Sequence, residues 1–351
     1  MTIALRRIGT PLLGAEFPLS LDEPFTATQA HAAGITRSRL SRLLRAGFVR
    51  RVLKSVYVAT QVPDTMGSRL RALSLAAPPG VVVTDWSATW IYTGLLPFGG
   101  HVDVPPISLF RLPGHGRLRH GLCSSGERDL RPEDVQVFDE LAITTPLRTA
   151  WDVGRLSRRD AALGGLDGLL RHTDLELEEL MAGVERFRRH RGVVQLRELA
   201  PIADGRAESP GESVLRLRWL DLPSMPPPVP QVPILDNRGR EIYRLDLGVE
   251  EVRYGAEYDG EQFHTGEADR AHDRERRAWI TDNRRWAIDA VGRHNVFGPQ
   301  RDIEGILLEG IRDARRTCAR RRSFLGRVRA CRRADSAGFG RLSSGGHRNT
   351  F

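Results

Sequence analysis

The chain has 351 residues, 40% of them hydrophobic and 28% charged, with a net charge of +9. That length predicts two or three domains with real cores, and no apolar run approaches the roughly 20 residues needed to cross a bilayer. Three cysteines without a CxxC pair argue against a zinc site or disulfide framework and fit reduced thiols, and the lack of an apolar stretch after Arg6-Arg7 predicts a cytoplasmic protein without a signal peptide.

The charge is unevenly placed. Residues 24–59 carry Arg37, Arg39, Arg42, Arg45, Arg50, Arg51 and Lys54 and no acid. Residues 312–351 carry twelve arginines against Asp313 and Asp335. The rest of the chain is therefore net acidic, and two confined basic regions point to two nucleic-acid contacts. Lys54 is the only lysine. Such a preference for arginine reflects a GC-rich genome, so the positions of the arginines matter here and their number does not.

Residues 1–23 show little periodicity and read as a loose leader. From Phe25 a short helix is expected to end at Gly34, a common helix-stop residue. Thr36 can cap a second helix, in which Leu40, Leu43 and Leu44 form a buried stripe. Arg37, Ser38, Ser41, Arg42 and Arg45 lie away from that stripe. Gly47 ends the helix, and Phe48-Val49 and Val56-Tyr57-Val58 alternate as two strands of a small hairpin. Helix, tight turn, basic helix and hairpin over 24–60 make a winged helix-turn-helix. Its second helix suits the major groove of double-stranded DNA, where arginine can pair with guanine or bind phosphate. Arg51 and Lys54 on the hairpin join the predicted DNA contacts. The bland reading, a solvated basic face, fits less well because such faces usually mix signs.

Residues 66–200 read as an α/β connector or interaction domain: an amphipathic helix, a strand at VVVTD, a helix at WSATWIYTGLL, short strands and loops to about Phe138, then helices. His101, His115 and His120 are scattered in loop and read as surface residues. A boundary falls at Glu208-Ser209-Pro210-Gly211. Beyond it come a helix from Glu212, strands near Val232–Leu235 and in IYRLDLGV and RYGAEYDG, a charged helix over 268–283, a strand over 286–291 and a helix from Ile303. The segment 313–351 reads as a basic, disordered tail.

Within 208–312 the spaced elements are Asp246 late in one strand, Glu257-Tyr258-Asp259-Gly260 in the next, His264, and Asp273-Arg274-Glu275-Arg276 in the following helix. This order resembles the PD-(D/E)XK nuclease superfamily, in the branch similar to very-short-patch-repair endonucleases. The GW pair usual before the last strand is Arg285-Trp286 here. The N-terminal part resembles the winged helix of AbiEi-type antitoxins, the transcription-repressing half of type IV toxin–antitoxin systems. The middle, with its TPLRTAWDV segment, resembles the linking region of actinobacterial proteins that join these two parts. The implied fold class is multidomain α/β (α+β): an N-terminal winged helix-turn-helix, an α/β middle domain, and a restriction-endonuclease-like mixed sheet flanked by helices.

The nuclease resemblance implies a metal-dependent endonuclease site. Asp246 and Glu257 would hold Mg²⁺, with Glu212 as an outer ligand; the ion bridges the scissile phosphate and activates water. The superfamily's lysine, two residues after the second acid, is replaced by Asp259. Asp259 and His264 join Asp246 and Glu257 as candidate catalytic groups, His264 because it can titrate near neutral pH. Arg270, Arg274, Arg276 and Arg277 are candidate phosphate ligands. Each residue also has a bland reading: Asp259-Gly260 as a tight turn, the arginines as partners of their own helix's acids, His264 as a loop residue. Two functions follow. One is a DNA-binding regulator of antitoxin type, with a cognate nucleotidyltransferase-type toxin as partner. The other is a Mg²⁺-dependent DNA endonuclease in repair or defence.

Overall fold

The computed structural model describes residues 12–96, 107–116, 118, 123–260 and 267–338, with backbone only for 267–270 and 321–338. The chain divides into two units, Met1–Val214 and Leu215–Phe351, both mixing helix and sheet, so the fold class is mixed α/β. Among the described residues no helix is long and apolar enough to cross a membrane.

The first unit opens with β1 (Phe25–Thr26), α1 (Ala27–Ala32), α2 (Arg37–Arg45), β2 (Val49–Leu53) and β3 (Val56–Ala59). Thr26 and Gln29 form a reciprocal capping box that starts α1. Gly34, at φ +79°, turns the chain toward α2, and Thr36 Oγ1 accepts the Arg39 N–H at 3.3 Å to cap that helix. The strands form an antiparallel sheet in the order β1-β3-β2. Phe17, Phe25, Ala30, Ile35, Leu40 and Val49 are the core beneath the two helices.

The leader departs from expectation within its described part. Phe17 is buried with its ring centroid 5.8 Å from that of Phe25, and Leu13, Leu19 and Leu21 pack on the same core. Phe17, Leu19 and Leu21 alternate at the strand period, but over only five residues that include Pro18, so pattern reading passes over them.

Then follow α3 (Met66–Ser74), β4 (Val82–Val83), α4 (Asp85–Thr93), β5 (Ile107–Arg111), β6 (Cys123–Glu127), β7 (Val135–Phe138) and β8 (Leu141–Thr144). These strands form a mixed sheet in the order β6-β5-β4-β8-β7. Helices α5 (Pro146–Leu156), α6 (Arg159–His172), α7 (Leu177–Arg186) and α8 (Val193–Leu199) follow. Val52, Leu53, Val56 and Val58 of the hairpin share one core with Leu73, Val83, Trp90, Ile91, Leu109 and Ile143. The segments 24–60 and 66–200, expected as separate domains, are thus welded through the inner face of the hairpin.

Helix α9 (Pro210–Leu220) crosses the boundary between the units. The second unit continues with β9 (Val229–Leu235), β10 (Glu241–Val249), β11 (Tyr254–Asp259), α10 (Glu267–Arg284), β12 (Ala287–Gly292), α11 (Arg293–Val296) and α12 (Ile303–Gly338). Its sheet runs β12-β11-β10-β9, with β9, β10 and β11 antiparallel and β12 parallel to β11. Trp219, Tyr254, Leu307 and Ile311 are buried, and the Trp219 and Tyr254 ring centroids lie 5.4 Å apart. Helix α12 continues to Gly338, through most of the segment expected to be a disordered tail. That stretch is low in apolar periodicity but rich in alanine and arginine, which favour helix on their own.

Candidate nucleic-acid interface

Helix α2 is held by its apolar stripe: Leu40 is buried, and Leu43 and Leu44 pack half-buried on the same core. The opposite side presents Arg37, Ser38, Ser41, Arg42 and Arg45, all exposed. Arg39, absent from the set expected to touch DNA, is exposed on the same helix. Among the described residues no carboxylate pairs with Arg37, Arg39, Arg42 or Arg45; Arg45 Nε donates to the Ser41 carbonyl at 3.5 Å, and its other guanidinium donors, with those of Arg37, Arg39 and Arg42, face outward for a ligand. On the hairpin Arg51 is exposed. Its neighbour Arg50 turns inward and donates to the Val62 carbonyl at 3.2 Å, and burial lowers its pKa. Lys54 and Ser55 form the exposed turn, with Ser55 at φ +67°.

The second cluster lies on β10, β11 and α10. Leu247 opposes Ala256 in the antiparallel ladder, which sets Asp246 and Glu257 at the next opposed position. Asp246 Oδ2 accepts the Tyr258 N–H at 2.7 Å. Glu257 is 4% exposed. Its Oε2 accepts from Arg276 at 2.8 Å and Arg277 at 3.4 Å, while its Oε1 is buried without a hydrogen-bond partner among the described residues. Asp259 is half-buried, its carboxylate 3.9 Å from Arg277. Arg274 points outward, exposed. Arg276 and Arg277, expected to await a phosphate, are thus engaged by Glu257. Glu212 accepts the Glu208 N–H at 2.9 Å, at the start of α9. His264 and the Arg270 side chain lie outside the described residues.

Mg²⁺ is commonly held by one or two carboxylates, its other ligands being water and phosphate. Asp246 and the free Oε1 of Glu257 fit that habit. Among the described residues no three His, Cys, Asp or Glu side chains stand together as a metal-holding group, so the fit rests on this pair.

A third cluster was not foreseen from the sequence. Asp152, fully buried on α5, receives Arg128 at 2.9 Å, Arg148 at 2.9 Å and Arg155 at 2.6 Å. Arg148 also reaches Asp134 at 2.6 Å, and Arg128 reaches Asp85 at 2.8 Å. Arg186 closes the network on Asp134. Burial alone would raise the pKa of Asp152 and Asp134, but the surrounding guanidiniums overcome it and hold both carboxyls below the ordinary range. The TPLRTAWDV segment supplies the centre of this knot: Thr145 caps α5 through the Arg148 N–H, Pro146 opens it, and Arg148 and Asp152 are its charges. No signal in the local sequence reveals the knot, since its partners come from other parts of the first unit.

An exposed, acid-free basic helix with a hairpin wing is the geometry of a DNA-binding regulator. Residues 19–60 match the family described as transcriptional regulator, AbiEi antitoxin. Over 242 residues the chain is 34% identical to an uncharacterized protein of Mycobacterium tuberculosis, Rv2248 in strain H37Rv and MT2308 in strain CDC 1551 / Oshkosh. The alignment covers 69% of this chain and 85% of the mycobacterial protein. The chain belongs to the family of this mycobacterial protein.

Proposed function

We propose that the protein is a DNA-binding transcriptional regulator of antitoxin type that inserts α2 into the major groove of double-stranded DNA. The observation that carries this reading is the exposed face of α2, where four arginines stand without a carboxylate partner among the described residues. Arg37 and Arg42 are the base-reading candidates; Arg45, Arg51, Lys54, Ser38 and Ser41 contact phosphate and sugar or add single hydrogen bonds. A nucleotidyltransferase-type toxin is the expected protein partner, and the middle of the first unit, which has no other assigned role, is the surface offered to it. The test is a gel shift with DNA from upstream of the protein's own coding region. Arg37→Ala with Arg42→Ala abolishes the sequence-specific shift if α2 is the reading helix; an unchanged shift refutes that assignment.

A second reading is favoured by the buried, unpartnered Oε1 of Glu257 opposite Asp246. On this reading the second unit is endonuclease-like, and Asp246 and Glu257 hold Mg²⁺, which supplies an activated water and neutralises charge on phosphate. This chain's own residues would then act as follows. Arg276 and Arg277 exchange Glu257 for phosphate oxygens, Arg274 and Arg270 add cations along α10, Asp259 adds negative charge at the strand end, and His264 moves a proton. Plasmid incubated with Mg²⁺ or Mn²⁺ should be nicked by the wild type and not by Asp246→Ala or Glu257→Ala. Absence of metal-dependent nicking, or nicking that both variants retain, removes this reading and leaves the first intact.

A further inference from the structure

The first unit contains a cavity of about 270 Å³ where the hairpin turn meets the middle sheet. We propose that it binds a small carboxylate with a compact apolar body, the carboxylate against Lys54. The apolar side is formed by Val56, Ala76, Ile107 and Leu109. Val56, Ile107 and Leu109 are buried members of one core, so that wall is preformed. A volume of that size admits a single ring or a short branched chain.

Charge decides the other end of the ligand. Among the described residues Lys54 is the only charged one that lines the cavity, and no acid does. Its ammonium has no ion-pair or hydrogen-bond partner among the described residues, and neither have the hydroxyls of Thr28 and Ser55 beside it. Among the described residues an amine or a metal ion would meet like charge and no counter-anion. A carboxylate would meet one cation and two hydroxyl donors at the open rim, with apolar surface behind. The turn that carries Lys54 is itself fixed, because Ala27 N–H donates to the Ser55 carbonyl at 3.0 Å. A bound carboxylate would withdraw Lys54 from any contact with DNA, but the site does not depend on the DNA-binding reading.

Calorimetric titration of the full chain with sodium benzoate and with benzyl alcohol, without DNA, tests the site. Benzoate should saturate one site per chain, with benzyl alcohol about tenfold weaker, the scale of one charge-assisted hydrogen bond. Lys54→Gln, at an exposed turn that the fold does not depend on, should reduce benzoate to the level of benzyl alcohol. Ala76→Phe, which projects a ring into the cavity from its half-buried wall, should weaken both about tenfold or more with the melting temperature retained. Equal affinity of the two probes for wild type overturns the proposal, as does no saturable benzoate uptake, or benzoate binding untouched by Lys54→Gln.

Discussion

Ser55 holds the hairpin turn in the left-handed region, at φ +67°, where a side chain adds strain of about 1 kcal/mol and glycine adds none. Ser55→Gly should therefore raise stability by about 0.5–1 kcal/mol in urea unfolding; a decrease would show that the turn is relaxed. Asp152 works in the opposite sense. Its replacement by Asn leaves Arg128, Arg148 and Arg155 facing a neutral group in a buried place, at a cost of about 3–5 kcal/mol. Because the folded-state pKa of Asp152 and of Asp134 lies below the unfolded value of roughly 3.9, their contribution is complete above that pH and is lost as pH falls through the folded values. Urea unfolding of the wild type at pH 7 and stepwise from about 5 to 3 should show this decline, and Asp152→Asn should flatten it. An identical acid slope in both would place the acid sensitivity elsewhere. The caps at Thr26, Thr36 and Thr145 act through neighbours three residues away, and so a linear sequence can display them. The Asp152 knot joins Asp85, Arg128, Asp134 and Arg186 from distant positions and leaves no local mark.

Helices and long strands were legible because burial imposes a period on them. Leu40, Leu43 and Leu44 define α2, and the strands β9 to β12 of the second unit lie where the sequence placed them, whereas α12 runs well past its expected end. In the middle the strand at VVVTD was read and is β4, but the pairing of that sheet was not legible. Its β4 has two residues and pairs in parallel with β8 on one side and antiparallel with β5 on the other, and long-range pairing of strands so short has no sequence signature. The Glu257 pairing with Arg276 and Arg277 is similar: the residues were singled out, but their mutual attachment is tertiary. At this scale α12 carries its own prediction. Ile303, Leu307, Ile311 and Ala314 are buried, whereas Arg312, Arg315, Arg316 and Arg320 are exposed. Removal of 320–351 keeps the buried stripe and deletes nine arginines. If this helix touches DNA, the slope of log K against log salt falls by about 0.9 for each phosphate the shortened chain no longer neutralises. An unaltered slope rules the extension out as a DNA-binding element.

For the whole molecule, the positive charge is gathered on the α2–hairpin region and the C-terminal helix while the rest of the chain is net acidic. That distribution favours a protein that meets DNA at defined places. The hairpin shares its core with the middle of the first unit, so ligands or partners of that region can act on the wing through packed side chains. The central claim, that α2 reads DNA, is tested most directly by fluorescence anisotropy with the upstream DNA and with scrambled DNA of equal length at one fixed salt concentration. The wild type should prefer the upstream sequence by at least about 10³-fold. Arg37→Ala with Arg42→Ala should cost about 1–3 kcal/mol per base-reading arginine and bind both DNAs nearly alike, with an unchanged melting temperature. A double variant that keeps the wild-type preference would contradict the account.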